Sequence, residues 1–299
     1  MGEAAFGAAF RTAIEALPRG LRTRFAPAPT GYLHLGHVAN ALAVWGAATA
    51  TGGTVVLRIE DHDRQRCRPA FEAAILDDLE ALGFEPDEPS IAALRTGEPS
   101  PWRQSDNDAA YTAAVAVLDG LGLVYACDCS RATFSDWAAE HGERWRGPGC
   151  PGACAARGIP RATAGVAWRV ALGDADEAWT DLVLGSRAGS PAAGGDLPIR
   201  DRHGNWTYAL CVVVDDIRHD IGLVVRGEDL LQATPAQVRL GSLLGRGQPP
   251  RFLHHPLIHR PDGRKLSKAD GATGVRELLR EGTRPAELRR RAAAAIGLA

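Results

Sequence analysis

The sequence predicts an α/β fold, a parallel, helix-covered sheet of the nucleotide-binding kind that is split by an inserted unit. Three observations predict it. Strand and helix signals alternate from residue 21 to residue 125, the order expected of parallel strands joined by covering helices. The alternation breaks between Cys127 and Asp196, a stretch rich in Gly, Pro and Ala that carries four of the six cysteines. Strand signals then return at Leu210–Val214 and Gly222–Val225.

Taken in order, residues 3–17 place Phe6, Phe10 and Ile14 at helical spacing and stop before Pro18. Glu3 and Glu15 interrupt that stretch and no basic start precedes it, so it reads as a helical extension and not as a signal peptide. Leu21–Phe25 is a short strand that ends at Pro27, and His37–Ala50 a helix stopped by Thr51, Gly52 and Gly53. Thr54–Ile59 is β-branched and apolar, a strand. Phe71, Ile75, Leu79 and Leu82 mark a helix over 71–82, and Tyr111–Leu121 repeats the pattern before a short strand at Val124–Tyr125. Trp168–Leu172 and Asp181–Leu184 read as strands of a small inserted β unit. A helix at Pro235–Leu244, a long loop from Pro249 to Thr273 and two Arg-rich helical stretches complete the chain. The implied divisions are an extension (1–21), two halves of the main sheet domain (22–126 and 196–245), an insertion (127–195) and a loop with carboxyl-terminal helices (246–299).

Composition narrows the class without naming a function. The 299 residues are 45% hydrophobic and 23% charged with a net charge of −2, the balance of a soluble globular chain and not of a disordered one. Apolar runs such as Ala209–Val214 are far too short to span a membrane. Near-neutrality does not exclude nucleic acid, because a local arginine face binds phosphates whatever the total. Of 34 lysines plus arginines only Lys265 and Lys268 are lysine, which leaves 32 arginines.

The cysteines are Cys67, Cys127, Cys129, Cys150, Cys154 and Cys211. A disulfide framework would be odd in a chain of this size without a signal peptide, so metal or free thiols in a reducing cytoplasm are favoured. Cys127-Asp-Cys129 and Cys150-Pro-Gly-Ala-Cys154 form two close pairs that suit tetrahedral zinc. With all four positions filled by thiolates, the site would be structural. Four reduced thiols are the alternative, and Cys67 and Cys211 read as ordinary small apolar residues.

Two further motifs carry chemistry. In Phe25-Ala-Pro-Ala-Pro-Thr-Gly-Tyr-Leu-His-Leu-Gly-His37, His34 and His37 flank a Leu-Gly pair at the mouth of a helix that follows a strand. A helix amino terminus offers unpaired N–H groups and positive dipole to phosphate, two imidazoles can donate to oxygens as charge develops, and Gly36 permits close approach. Capping, packing or a metal is the competing role for the histidines. In Arg264-Lys265-Leu266-Ser267-Lys268 two compact ammonium groups share one polar loop, where a flexible point charge differs physically from arginine's planar fork.

Together these motifs resemble the signatures of class I aminoacyl-tRNA synthetases. Arg22-Thr-Arg-Phe-Ala-Pro-Ala-Pro-Thr-Gly, Leu57-Arg-Ile-Glu-Asp61, Val212-Val-Val-Asp-Asp216 and Val225-Arg-Gly-Glu-Asp229 narrow the resemblance to the glutamyl branch. It covers nearly everything from residue 22 onward. It implies a Rossmann-like class I synthetase catalytic domain with a parallel sheet, split by a zinc-containing insertion, and a short helical carboxyl-terminal region. The chain ends about 30 residues beyond Lys268, without room for the anticodon-binding domain of full-length members. That layout, with the run Tyr208-Ala-Leu-Cys-Val-Val-Val-Asp-Asp, is similar to the short paralogues that glutamylate the queuosine base in the anticodon of tRNA(Asp).

By this resemblance Arg24, Ala28, Glu60, Tyr208 and Arg226 line a glutamate pocket. Two arginines and one acid match the charges of a substrate with two carboxylates and one ammonium. His34, Gly36, His37 and Lys268 contact ATP, and His34, His37, Lys265 and Lys268 are catalytic. Structural Zn2+ is implied in the insertion, where Cys150 stands at a position the family usually fills with tyrosine, and Mg2+ is implied on ATP. Asn107 stands where the family usually has an arginine, and Arg64–Pro69 is less typical. The expected partners are ATP, L-glutamate and tRNA(Asp) bearing queuosine, with a monomer and no membrane. Transfer to a tRNA 3′ end, a small amine or a carrier, and a catalytically silent zinc-containing RNA-binding protein, are the competing functions.

Overall fold

The computed structural model describes residues 3–142, 147, 149–258 and 274–299. The chain opens with α1 (Glu3–Glu15), β1 (Arg22–Phe25), α2 (Leu35–Thr51), β2 (Thr54–Leu57), α3 (Pro69–Leu82), α4 (Ile91–Arg95) and α5 (Asp108–Gly120). There follow β3 (Val124–Cys127), α6 (Arg131–His141), β4 (Ala167–Val170), β5 (Glu177–Asp181), β6 (Gly185–Gly189) and β7 (Leu197–Arg200). The remaining elements are α7 (Tyr208–Arg218), β8 (Leu223–Gly227), α8 (Thr234–Leu243), β9 (Arg251–His255), α9 (Val275–Arg280) and α10 (Pro285–Ala295).

Six strands form the main sheet in the order β2-β1-β8-β9-β5-β6. All neighbours run parallel except the β5–β6 hairpin at the edge. The first crossover, β1 to α2 to β2, moves to one side of β1, and the later strands fill the other side. Strand order therefore reverses at β1, which opens a crevice beyond the carboxyl ends of β1 and β8, where such sheets bind ligands. A second, antiparallel sheet β3-β4-β7 stands apart from the first.

The sequence explains why α2 lies so close to the sheet. Its buried face is Val38, Ala39, Ala41, Ala43, Val44, Ala47 and Ala48, mostly one-carbon side chains, and it stops at Gly52, whose φ of 60° suits glycine. Phe25, Val55, Leu57 and Val225 from the strands join Val44, Ile75 and Leu79 from the helices in one core. Phe6 and Phe10 are buried in that same core, so the amino-terminal extension packs on the body. Ala292 and Ile296 bring the carboxyl-terminal end into it. A second core gathers Tyr111, Leu118, Val170, Ile199, Leu210, Val213 and Leu240 around the small sheet. Among the described residues, no helix is long and apolar enough to cross a membrane.

Four expected elements differ. Leu210–Val214 is helical, part of α7, although its valine run favours a strand. The reason is tertiary: Asp215 and Asp216 both reach Arg58, the first to 4.0 Å and the second to 2.7 Å. Adjacent side chains can converge on one partner from a helix but point to opposite faces of a strand. The strand expected over Asp181–Leu184 ends at Asp181, whose Oδ1 accepts from the N–H groups of Val183 (3.0 Å) and Leu184 (2.8 Å) and turns the chain into β6. That strand, β5, pairs with β9 at the main sheet. Val124–Tyr125 does form a strand, but one that pairs antiparallel with β4. The loop expected from Pro249 begins instead with β9, a strand bounded by prolines and carrying two histidines, both of which are buried.

Candidate active site

A cavity of about 460 Å³ opens at the carboxyl edge of the main sheet. It is lined by Arg24 near the end of β1, Ala28 in the following loop, His34, Gly36 and His37 at the start of α2, and Glu60 beyond β2. Tyr208, the first residue of α7, and Arg226, on β8, face the same space. All eight described candidates for glutamate, ATP and chemistry thus meet in one place, drawn from segments up to 202 residues apart. Lys265 and Lys268 lie outside the described residues. Ile258, before that segment, lines the cavity, and Val275, after it, donates its N–H to the Leu33 carbonyl beside His34 at 2.8 Å.

The floor is an ion network organised by Arg58, whose side chain is wholly buried. Its Nη1 donates to Asp216 Oδ1 at 2.7 Å and its Nη2 to Glu60 Oε1 at 2.9 Å. Burial opposes its charge, but Asp216, Glu60 and Asp215 outweigh burial and raise its pKa. Arg24 donates from Nε to the same Asp216 oxygen at 3.3 Å and from Nη1 to the Val225 carbonyl at 3.1 Å. Burial pushes the Asp216 carboxyl up, yet Arg24 and Arg58 bring its pKa below the ordinary value. Asp215 accepts from Gln104 Nε2 and from the Tyr111 hydroxyl, each at 2.9 Å. The Tyr208 phenol is pushed up by burial and then by Glu60, so it faces the cavity as a neutral hydroxyl.

Arg226 is gripped from behind. Its Nε donates to His254 Nε2 at 3.0 Å, Nη2 to Thr234 Oγ1 at 2.8 Å and Nη1 to Gln237 Oε1 at 2.5 Å. Burial lowers its pKa from the ordinary arginine value, with Tyr208 acting in the opposite direction. At Gly227 a Cβ would stand 2.6 Å from Asp229 Oδ1 and 2.8 Å from Leu257 Cδ2, so glycine leaves those two side chains their positions.

The two histidines of α2 are held in one tautomer by the backbone. His34 Nδ1 accepts from the Gly36 N–H at 3.1 Å, and His37 Nδ1 accepts from the His34 N–H at 3.0 Å. In the neutral ring an accepting Nδ1 puts the proton on Nε2, so each imidazole is an Nε2–H donor. Their ring centroids are 3.9 Å apart. Capping and chemistry, set against each other by the sequence, use different nitrogens of the same rings. A Cβ on Gly36 would come within 3.0 Å of His34 Cε1, so glycine there leaves the ring its position.

Sequence reasoning gave no role to Arg58, Asp216, Asp181 or His254, nor to Thr30, Asn40, His62 and Asp229, which also line the cavity. Arg58 and Asp216 were legible as parts of motifs, but only the fold shows that they meet. His62 Nδ1 lies 2.7 Å from Gln104 Oε1, and since Gln104 presents its amide to Asp215, that nitrogen of His62 is the donor. Asn107 is away from the cavity, where its Nδ2 donates to the carbonyls of Arg103 (2.7 Å) and Ser100 (3.0 Å) and its Oδ1 accepts from Arg218 (2.6 Å).

In the insertion, Cys127, Cys129, Cys150 and Cys154 are buried, with their sulfurs all within 4.8 Å of one another. Cys129 Sγ is 3.3 Å from Cys154 Sγ and 3.6 Å from Cys150 Sγ. A tetrahedron of thiolates about 2.3 Å from zinc has edges of roughly 3.8 Å, so the donor set fits that ion. Hydrogen bonding from Cys127 draws the Cys150 thiol down, against the effect of burial, while burial and the neighbouring thiols push Cys129 up. Arg157 Nη1 stands 3.6 Å from Cys154 Sγ, a cation placed beside the sulfurs. No disulfide joins the described cysteines.

Comparison with known proteins bears on the same residues. The family model of class I tRNA synthetases (E and Q), catalytic domain, matches residues 20–291. The chain is 40% identical over 272 residues to the Glutamyl-Q tRNA(Asp) synthetase of Symbiobacterium thermophilum, covering 88% of this chain and 82% of that protein. It is 42% identical over 284 residues to the protein of that name from Leptothrix cholodnii, covering 92% and 89%. The solved glutamate tRNA ligase of Elizabethkingia meningosepticum, in complex with its amino acid, superposes with a TM-score of 0.71 at 28% identity. That match covers 87% of this chain and 58% of the solved one.

Proposed function

The chain belongs to the class I tRNA synthetase (E and Q) catalytic-domain family, and on that premise we propose that it activates L-glutamate with ATP and passes the glutamyl group to the queuosine base in the anticodon of tRNA(Asp). One observation carries the activation half: Arg24, Arg226, Glu60 and Tyr208 share a single cavity with the two histidines of α2. Arg24 and Arg226 take the two carboxylates, Glu60 pairs with the ammonium, and Ala28 and Tyr208 wall the aliphatic stem. An α-carboxylate oxygen attacks the α-phosphorus of ATP, the bond to the bridging oxygen breaks, and pyrophosphate leaves with the electron pair. The Nε2–H donors of His34 and His37 face the charge that grows on the phosphate oxygens, and Gly36 allows the nucleotide to approach α2. Lys265 and Lys268 are assigned to the departing pyrophosphate. Magnesium on the ATP phosphates would supply neutralisation of their charge. Positioning and charge stabilisation suffice, with no protein nucleophile.

The acceptor half rests on the relatives named Glutamyl-Q tRNA(Asp) synthetase, which align over 82% and 89% of their lengths. A hydroxyl oxygen of the queuosine cyclopentenediol attacks the adenylate carbonyl carbon, and AMP leaves as the ester forms. A structural zinc would be held by Cys127, Cys129, Cys150 and Cys154, remote in role from both steps. Two assays test the reading. Glutamate-dependent exchange of pyrophosphate into ATP is expected, and its absence would defeat the activation half. Labelled glutamate should enter tRNA(Asp) that bears queuosine and not the same tRNA lacking it, with the label lost on excising the modified base. Equal labelling of both tRNAs would transfer the assignment to the 3′ end.

A further inference from the structure

Behind Arg226 lies a chain of buried groups that the activation chemistry leaves without a role. Asp181, His254 and Arg226 come from the ends of β5, β9 and β8, three strands adjacent in the sheet. Asp181 Oδ2 lies 2.6 Å from His254 Nδ1, with both side chains wholly buried. His254 Nε2 receives the Arg226 Nε–H at 3.0 Å. A guanidinium always donates, so Nε2 must accept, the imidazole must be neutral, and its single proton must sit on Nδ1 facing Asp181. The direction of every proton along the chain is fixed by Asp181.

The other end of Arg226 shows what this achieves. Three of its five N–H groups are committed to His254, Gln237 and Thr234. The other two belong to the terminal nitrogens, and Arg226 lines the cavity beside the Tyr208 hydroxyl. Terminal nitrogens held in one plane are what a carboxylate engages with both oxygens. Held at Nε, the planar fork cannot swing about its Cδ–Nε bond or withdraw, and its entropy is spent before substrate arrives.

We propose that Asp181 and His254 are positioning residues that lock Arg226 as a preorganised carboxylate fork and thereby set the affinity for the amino-acid substrate. This rests on the reading of the cavity as a glutamate site. The decisive variant is Asp181→Asn. Asp181 Oδ1 already accepts the N–H groups of Val183 and Leu184, so in asparagine the oxygen must stay there and the NH2 must face His254. His254 Nδ1 would then have to accept, its proton would move to Nε2, and an N–H would point at the N–H of Arg226. The volume of the side chain is unchanged while the relay is reversed.

In pyrophosphate exchange we expect Asp181→Asn to raise the KM for glutamate about 10- to 100-fold, the range set by losing one charge-assisted fork. The KM for ATP should stay within about twofold, a split that general loosening of the fold would not give. His254→Phe, which keeps the ring beside Phe252 but removes both nitrogens, should show the same split and serves if the first variant does not fold. A folded variant of either kind with the wild-type KM for glutamate overturns the proposal. Long-range 1H–15N spectra of the wild type, with His254 assigned by its loss in His254→Phe, should show a neutral Nδ1–H tautomer at pH 7. An Nε2–H tautomer or an imidazolium there overturns the proposal without any assay. Wild-type enzyme that shows this tautomer but no glutamate-dependent exchange would instead defeat the assignment of the substrate.

Discussion

Arg58 illustrates how much of the site hangs on a side chain that touches no solvent. It faces Asp215, Asp216 and Glu60, and Asp216 in turn steadies Arg24. Removing one partner of a buried network leaves the others charged and uncompensated, at a cost of about 3–5 kcal/mol. We expect Arg58→Met to lose stability of that order in urea unfolding at pH 7 and to weaken glutamate binding through Glu60 and Arg24. A loss under about 1 kcal/mol would show that the three carboxylates find other partners. The residues of this network were readable in the sequence as members of short motifs. Their convergence was not, because Arg58 and Asp216 are 158 positions apart and nothing local encodes which acid meets which base.

Among the elements, α7 and the cysteine insertion mark opposite ends of legibility. The valine run of α7 favours a strand by propensity, and every residue from Leu210 to Asp216 is buried, so no exposed position interrupts the run. As a helix, α7 brings Asp215 and Asp216 to Arg58 together and packs its valines against the second core. The cysteines follow the opposite logic: close pairing in the sequence carries most of the geometry, and the four sulfurs do converge. Cys150→Ser replaces one thiolate by a poor zinc ligand. We expect zinc affinity, read by chelator competition, to fall at least about tenfold, with faster hydrogen exchange in β3 and the neighbouring β4. Unchanged affinity would exclude Cys150 from the proposed set. The cavity proposed for adenylation lies at the main sheet and not at this one, so exchange activity should fall far less than zinc affinity.

Over the whole molecule, burial of histidines couples stability to pH. Burial, then the nearby Arg58 charge, lowers the His219 pKa to about 4, with its ring 4.3 Å from Trp102 and its Nε2–H donated to the Pro101 carbonyl at 3.1 Å. The unfolded chain would titrate this group near 6.5, so between about pH 6.5 and 4 the unfolded state holds more protons and stability falls as pH falls. The contribution is on the order of 3 kcal/mol, and burial pushes His254 and His255 in the same direction. His219→Phe should flatten the decline measured by urea unfolding between pH 7 and 4.5; an unchanged slope would place the coupling elsewhere. At this scale the division between sequence and structure is plain. The sequence by itself determined the α/β class and the pairing of the cysteines, because each is written in local periodicity or spacing, and its motifs held the residues of α2, β1 and β8 that meet in one cavity. The tertiary structure alone decided that α7 is a helix, that β9 is a central strand, and that Asp181 and His254 stand behind Arg226. These depend on side chains brought together from strands distant in sequence, and a buried polar group is defined by its partner and not by its neighbours along the chain.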